Sequence, residues 1–161
     1  MALQIEKTVS TSGKKSNKTL TRVHLILDES GSMGCARQST IDGFNEYING
    51  LKNDNNKYLI SLTKFEGGNI VNVFSDVDIR TVRELTFDDY TPCGMTNLND
   101  AIGCTIQGMA FNKPRTLHNT LVVILTDGDE NSSTEWSQPM VADLIKSKES
   151  DGWTVTFLGA N

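Results

Sequence analysis

The sequence has no long apolar run, no Cys-x-x-Cys spacing and no basic face, and each absence closes off a class of protein. A helix that crosses a bilayer needs ~18 or more consecutive apolar residues, and no run here approaches that length. The first residues, Met1-Ala2-Leu3-Gln4-Ile5-Glu6-Lys7, lack the basic-then-apolar plan of a signal peptide. A protein that stays in the cytoplasm where it is made, with no membrane partner, is therefore expected. The three cysteines, Cys35, Cys93 and Cys104, are an odd number without metal-ligand spacing. They are expected to be reduced thiols packed as small hydrophobes. With a net charge of -5 and one basic cluster, Lys14-Lys15 with Lys18, a nucleic-acid partner is not expected. The P-loop pattern and the Gly-x-Ser-x-Gly elbow are both missing, which disfavours nucleotide hydrolysis and serine-hydrolase chemistry. Asn17-Lys18-Thr19 and Asn131-Ser132-Ser133 match the glycosylation pattern, but only by chance if the chain is not secreted.

What is present suits one domain: 161 residues, 37% hydrophobic and 22% charged, enough to bury a core. Residues 3–9 alternate weakly and 10–18 are polar, so 1–18 reads either as a frayed end or as a strand pairing with the one that follows; 19–161 forms the domain. The apolar run Val23-His24-Leu25-Ile26-Leu27 reads as a strand that stops at an acid and a hydroxyl-rich turn, Asp28-Glu29-Ser30-Gly31-Ser32. Ile41, Phe44, Ile48 and Leu51 repeat at helical spacing. Residues 58–65 and 69–74 flank Glu66-Gly67-Gly68 and read as a hairpin. Thr86 to Met95 is a loop, and Thr96 is placed to cap a helix carrying Leu98, Ala101, Ile102, Thr105, Ile106 and Met109. Leu121 to Thr126 reads as a strand covered on both faces, ending at Asp127-Gly128. A helix with Trp136, Met140, Val141, Leu144 and Ile145 on one face and a strand from Trp153 to Leu158 complete the pattern. Strand, helix, hairpin, helix, strand, helix, strand means an α/β sandwich: a mainly parallel central sheet, one antiparallel strand, helices on both faces.

In such sheets ligands sit beyond the carboxyl ends of the strands. If the parallel strands are neighbours, Asp28, Ser30, Ser32, Thr96 and Asp127 converge there. All five are hard oxygen donors, which select Mg²⁺, Mn²⁺ or Ca²⁺ over zinc, and Mg²⁺ needs few direct protein ligands.

Asp28-x-Ser30-x-Ser32, then Gly94-Met95-Thr96-Asn97-Leu98, then Thr126-Asp127-Gly128 resembles the metal-ion-dependent adhesion site of von Willebrand factor A domains, of the bacterial or phage type. The resemblance implies a three-layer, Rossmann-like fold in which the hydroxyls of Ser30 and Ser32 bind the ion directly. It implies that Asp28 and Asp127 act largely through bound water, and that Thr96 joins when the site is engaged. It further implies a protein-binding module whose Mg²⁺ accepts an Asp or Glu from a partner, in a bacterial or phage-infected cytoplasm. The usual double glycine before the threonine is Gly94-Met95 here. Domains of the family continue with a helix and strand past the position of Gly159-Ala160-Asn161, so the resemblance covers the fold without those last elements. Met33, Arg37, Met95, Asn97 and Glu130 are expected to ring the ion; Trp136 is expected first as a core anchor of its helix, with a place in that ring as the alternative.

Two other readings use the same acids. Asp127, Asp129 and Asn131 mimic an EF-hand loop, but its sixth position is Ser132 instead of Gly and its twelfth is Gln138 instead of Glu. A Mg²⁺-dependent phosphotransferase with Asp28 as nucleophile resembles the haloacid dehalogenase type, but the second acid expected two residues on is Ser30. His24, within a strand, is expected on a sheet face or beside a polar group, and His118 has no motif context.

Overall fold

The computed structural model describes residues 19–111 and 119–160; the readings for residues 1–18 and for His118 lie outside them. Five strands form one sheet in the order β3-β2-β1-β4-β5. They are β1 (Leu20–Asp28), β2 (Lys57–Glu66), β3 (Asn69–Asp78), β4 (Asn119–Thr126) and β5 (Thr154–Gly159). β1 lies at the centre, parallel to β2 on one side and β4 on the other, and β4 is parallel to β5. Only β3 runs antiparallel, against β2. Both edges of β1 are thus taken, by β2 and β4.

Central position explains the composition of β1, which is buried from Arg22 to Asp28. Alternate residues serve opposite layers. Val23, Leu25 and Leu27 meet Ile41, Phe44 and Ile48 of α1 (Arg37–Lys52). Ile26, with Val122 and Ile124 of β4, meets Ala101, Ile102 and Ile106 of α2 (Leu98–Phe111) and Val141 of α3 (Gln138–Ser150). Fully burying one such aliphatic side chain contributes roughly 1.5–3 kcal/mol, so the two layers hold the strands in register without help from surface charge. Cover over β4 is uneven: Leu121 and Leu125 are only half-buried, and they border a groove of about 630 Å³ beside α1.

The β2–β3 hairpin turns through Gly67 (φ +49°) and Gly68 (φ +96°), the two-residue arrangement whose twist suits adjoining strands. Its tip is tied to the loop before α2, because Gly67 N–H donates to the Met95 carbonyl at 2.7 Å.

Several local expectations are corrected. β3 runs on to Asp78, with register shifts against β2 and a left-handed Asp76 (φ +49°) whose N–H donates to Ser61 Oγ. α3 starts after Trp136: Ser137 caps it by accepting from Met140 N–H, and a proline stands in its first turn. Trp136 therefore packs outside the helix, against α2, where a Cβ on Gly103 would overlap its indole. Met140 is exposed rather than on the core face. Cys35 and Cys93 are exposed and Cys104 half-buried, so these free thiols do not pack as core residues.

Under α2 lies a buried polar cluster. Arg22 pairs with Asp76 at 2.7 Å and donates from Nη1 to the Met109 carbonyl. His24 Nε2 meets Thr63 Oγ1 at 2.8 Å. Burial, then the Arg22 charge, lower the His24 pKa to about 4. The folded state therefore holds this imidazole neutral while the unfolded chain protonates it near its ordinary value, about 6.5. Stability from this group is complete above pH 6.5 and drains away as pH falls toward 4. Urea unfolding at pH 7.5 and pH 5 is expected to differ by about 2 kcal/mol on this account, and His24→Gln is expected to remove that difference. An unchanged difference in the variant would assign it elsewhere.

Candidate metal centre

The carboxyl end of β1 is fixed by backbone hydrogen bonds to the end of β2 and to the loop before α2. Glu29 N–H donates to the Phe65 carbonyl, Cys93 N–H to the Glu29 carbonyl, and Gly31 N–H to the Gly94 carbonyl at 3.0 Å. The Asp28–Ser32 turn is thereby fixed against the segment leading to Thr96. Tyr90, fully buried, donates its hydroxyl to the Asp28 carbonyl at 2.5 Å. Glu29, also buried, pairs with Lys64 at 3.1 Å and accepts from Thr91 N–H.

Asp28 is fully buried. Its Oδ1 accepts from Ser30 N–H at 2.8 Å and its Oδ2 from the Thr126 hydroxyl at 2.7 Å. Burial lifts its pKa above the usual carboxylate range; the bonds from Ser30 and Thr126 oppose this and the charge of Asp127 adds to it. Thr126 Oγ1 in turn accepts from Gly128 N–H at 3.0 Å, so one hydroxyl ties the two strand ends together. The hydroxyls of Ser30 and Ser32 lie 3.3 Å apart, and the Ser30 hydroxyl also faces the Asp28 carboxylate. Asp127, next to Thr126, has a buried Oδ1 with no hydrogen-bond partner.

Thr96 is buried and held by its backbone. Its N–H donates to Asn131 Oδ1 at 2.8 Å, and its carbonyl accepts from Asn131 and Ser132 N–H. It does not cap α2. Glu130 accepts Asn99 N–H and Ser133 Oγ accepts Asp100 N–H, so the first turn of α2 is closed by the loop after β4. Asp100 reciprocates, accepting backbone N–H groups of Thr134, Glu135 and Trp136. The loop carrying Asp127 and the helix following Thr96 are therefore one hydrogen-bonded unit.

All five oxygen-bearing residues read from the sequence thus belong to one end of the sheet, on loops bonded to one another. Among the described residues no three His, Cys, Asp or Glu side chains cluster as a cage. Two acids and three hydroxyls suit a hard divalent ion. An unpartnered buried carboxylate oxygen, a pair of hydroxyls 3.3 Å apart and two neighbouring acids are the features such an ion would satisfy. The expected ring is smaller than the sequence suggests. Met33 packs in the core, Arg37 is bound to the carbonyls of Tyr90 and Phe87, and Trp136 lies on Gly103; Asn97 is buried with both side-chain amide atoms unpartnered among the described residues. Met95 and Glu130 remain exposed. Sequence reading missed Thr126, Tyr90, Asn131 and Asp100. Only Thr126, at a strand end beside Asp127, carried a local signal.

No protein-family model matches the chain, and no curated protein matches it significantly. Solved structures do. The manganese-loaded TRAP protein of Plasmodium vivax aligns with TM-score 0.61 at 18% identity, over 89% of this chain and 58% of that one. The pilus adhesin SpaC of Lactobacillus rhamnosus GG, in its open conformation, aligns with TM-score 0.66 at 16% identity, over 91% of this chain and 24% of that one. BatB of Bacteroides thetaiotaomicron aligns with TM-score 0.55 at 15% identity, over 86% of this chain and 66% of that one. The chain spans between a quarter and two thirds of these structures. With the sheet order and the loop cluster beyond β1 and β4, these likenesses define an α/β protein with a doubly covered, mainly parallel sheet. The fold is that of von Willebrand factor A domains.

Proposed function

We propose that this domain binds a divalent ion, Mg²⁺ or Mn²⁺, through Ser30, Ser32, Thr96, Asp28 and Asp127, and that the ion accepts an Asp or Glu side chain of a partner protein in the cytoplasm. The observation that carries this reading is the convergence of five oxygen donors on one end of the sheet, with Asp127 Oδ1 buried and unpartnered among the described residues. The manganese in the TRAP structure and the adhesin identity of SpaC support the same direction. When bound, the ion supplies a positive centre with few charged direct ligands. The chain's residues orient it, and Thr126 and Ser30 fix the Asp28 carboxylate that would reach it through bound water.

The phosphotransferase alternative fits less well. Asp28 has no exposed surface, and the hydrogen bonds from Ser30 and Thr126 hold its carboxylate against the sheet ends, which leaves an incoming phosphoryl group no path to it. A binding module is the better reading.

Ligands that bind only the folded state raise stability by RT ln(1 + [L]/Kd), about 2.7 kcal/mol at a hundredfold excess over Kd. Melting is thus expected to rise with Mg²⁺ or Mn²⁺ and to return to baseline with EDTA. Because the chain's net charge is -5, the attraction for an acid is local to the ion, so chelator is expected to abolish partner binding more sharply than added salt. A melting temperature indifferent to both ions, or metal-dependent phosphatase turnover lost in Asp28→Asn, would overturn the proposal.

A further inference from the structure

The mouth of this site has a charge pattern that selects among acidic partners. Glu66, the last residue of β2, places its carboxylate against Gly94, two residues before Thr96. A Cβ on Gly94 would collide with Glu66 Oε2, so the carboxylate occupies space that only glycine leaves open, at a backbone angle (φ +71°) that also favours glycine. Oε1 accepts from Asn69 Nδ2 at 2.7 Å, which holds the group in place, and Oε2 has no bonding partner among the described residues. Asp129, two residues after Asp127, is exposed. Neither acid is paired with a basic side chain among the described residues.

Basic side chains in these loops are committed elsewhere: Lys64 to Glu29 and the Asp89 carbonyl, Arg37 to the Tyr90 and Phe87 carbonyls. Glu130 is held by three backbone N–H groups and Ser133 Oγ. A bare Asp or Glu approaching the ion past Gly94 therefore meets a fixed like charge with no counter-charge beside it. A Lys or Arg next to that acid reverses the sign of the encounter, since rim charges act on approach and on discrimination between partners.

We propose, resting on the metal-bridge reading above, that the partner segment carries a Lys or Arg within a residue or two of its metal-binding acid, and that Glu66 is the group that selects it. Met95, 54% exposed on a backbone anchored by Gly67, supplies an adaptable apolar contact beside that pair.

The test pans a displayed library of short random peptides on the whole chain in millimolar Mg²⁺ and in EDTA, with Glu66→Gln and Glu66→Lys in parallel. Glu66→Gln keeps the shape and the bond to Asn69. The expected result is Mg²⁺-dependent enrichment of acidic peptides with an adjacent Lys or Arg. That bias is lost in Glu66→Gln and replaced by adjacent acids in Glu66→Lys, and a selected peptide binds Glu66→Gln about 2- to 5-fold more weakly than the parent chain. Mg²⁺-dependent acidic peptides without a basic neighbour, or with a bias unchanged in Glu66→Gln, would overturn the selectivity while leaving the metal bridge intact. Absence of any acidic enrichment in Mg²⁺ over EDTA would overturn both.

Discussion

Replacing Ser30 and Ser32 together by alanine is expected to weaken Mn²⁺ binding by more than ~100-fold while leaving the metal-free fold nearly as stable as before. Both halves follow from the same contacts. The two hydroxyls are 3.3 Å apart, and of the two only that of Ser30 also bonds the Asp28 carboxylate, so few contacts of the metal-free fold are lost. Ser30 N–H, which orients Asp28, survives the change. Removal of groups that only orient ligands already costs 10- to 100-fold in metal affinity, so removal of two direct ligands is expected to exceed that. Calorimetric titration with Mn²⁺ measures the first half. Urea unfolding in EDTA, expected to shift by no more than about 1 kcal/mol, measures the second. Unchanged Mn²⁺ affinity would remove these serines from the site. A large loss of metal-free stability would make them structural.

The opposite pattern is expected at Asp100, where stability falls first. Its carboxylate accepts three backbone N–H groups, from Thr134 at 2.9 Å, Glu135 at 3.0 Å and Trp136 at 2.7 Å, and it is 8% exposed. Burial alone would raise its pKa, but these donors outweigh it and hold the group below the usual range. Hydrogen bonds to charged groups contribute roughly 1.5–3 kcal/mol each, and part of that is recovered where the freed N–H groups reach water. Asp100→Ala is expected to cost about 3 kcal/mol by urea unfolding and to speed amide exchange across residues 128–136. Asp100→Asn, with one acceptor oxygen in place of two, is expected to fall between. Because that loop also holds Thr96 through Asn131, ion affinity is expected to drop in step with exchange. A stable Asp100→Ala with a protected loop would contradict the account.

What was legible in the sequence is what depends on neighbours along the chain. Strand ends at Asp28 and Asp127, the helical repeat through Ile41, Phe44 and Ile48, and the paired glycines of the hairpin are local signals, and the elements follow them. Convergence of the five oxygen donors needed only the rule that parallel strands present their carboxyl ends together. The supports were not legible, because their partners are remote: Asn131 reaches Thr96 across 35 positions and Asp100 reaches Trp136 across 36. Where local signals competed, the apolar repeat outweighed the cap. Ser137 with a proline at Gln138-Pro139 marked the start of α3, yet periodicity carried the helix back to Trp136. Nearness in sequence also misled at Met33, which turns into the core one residue after Ser32.

The central place of β1 bears finally on the order of events in time. Asp28 and Thr126 meet across 98 positions of chain, and that contact exists only once β4 has crossed over and docked beside β1. Such distant parallel pairings form slowly, after local turns and helices. Until then a chain offers an ion only the turn after Asp28, without Thr96 or Asp127. On the proposed reading an ion would therefore bind late on the folding route. It would slow the opening of the finished sheet, and would have little hold on how fast that sheet is made.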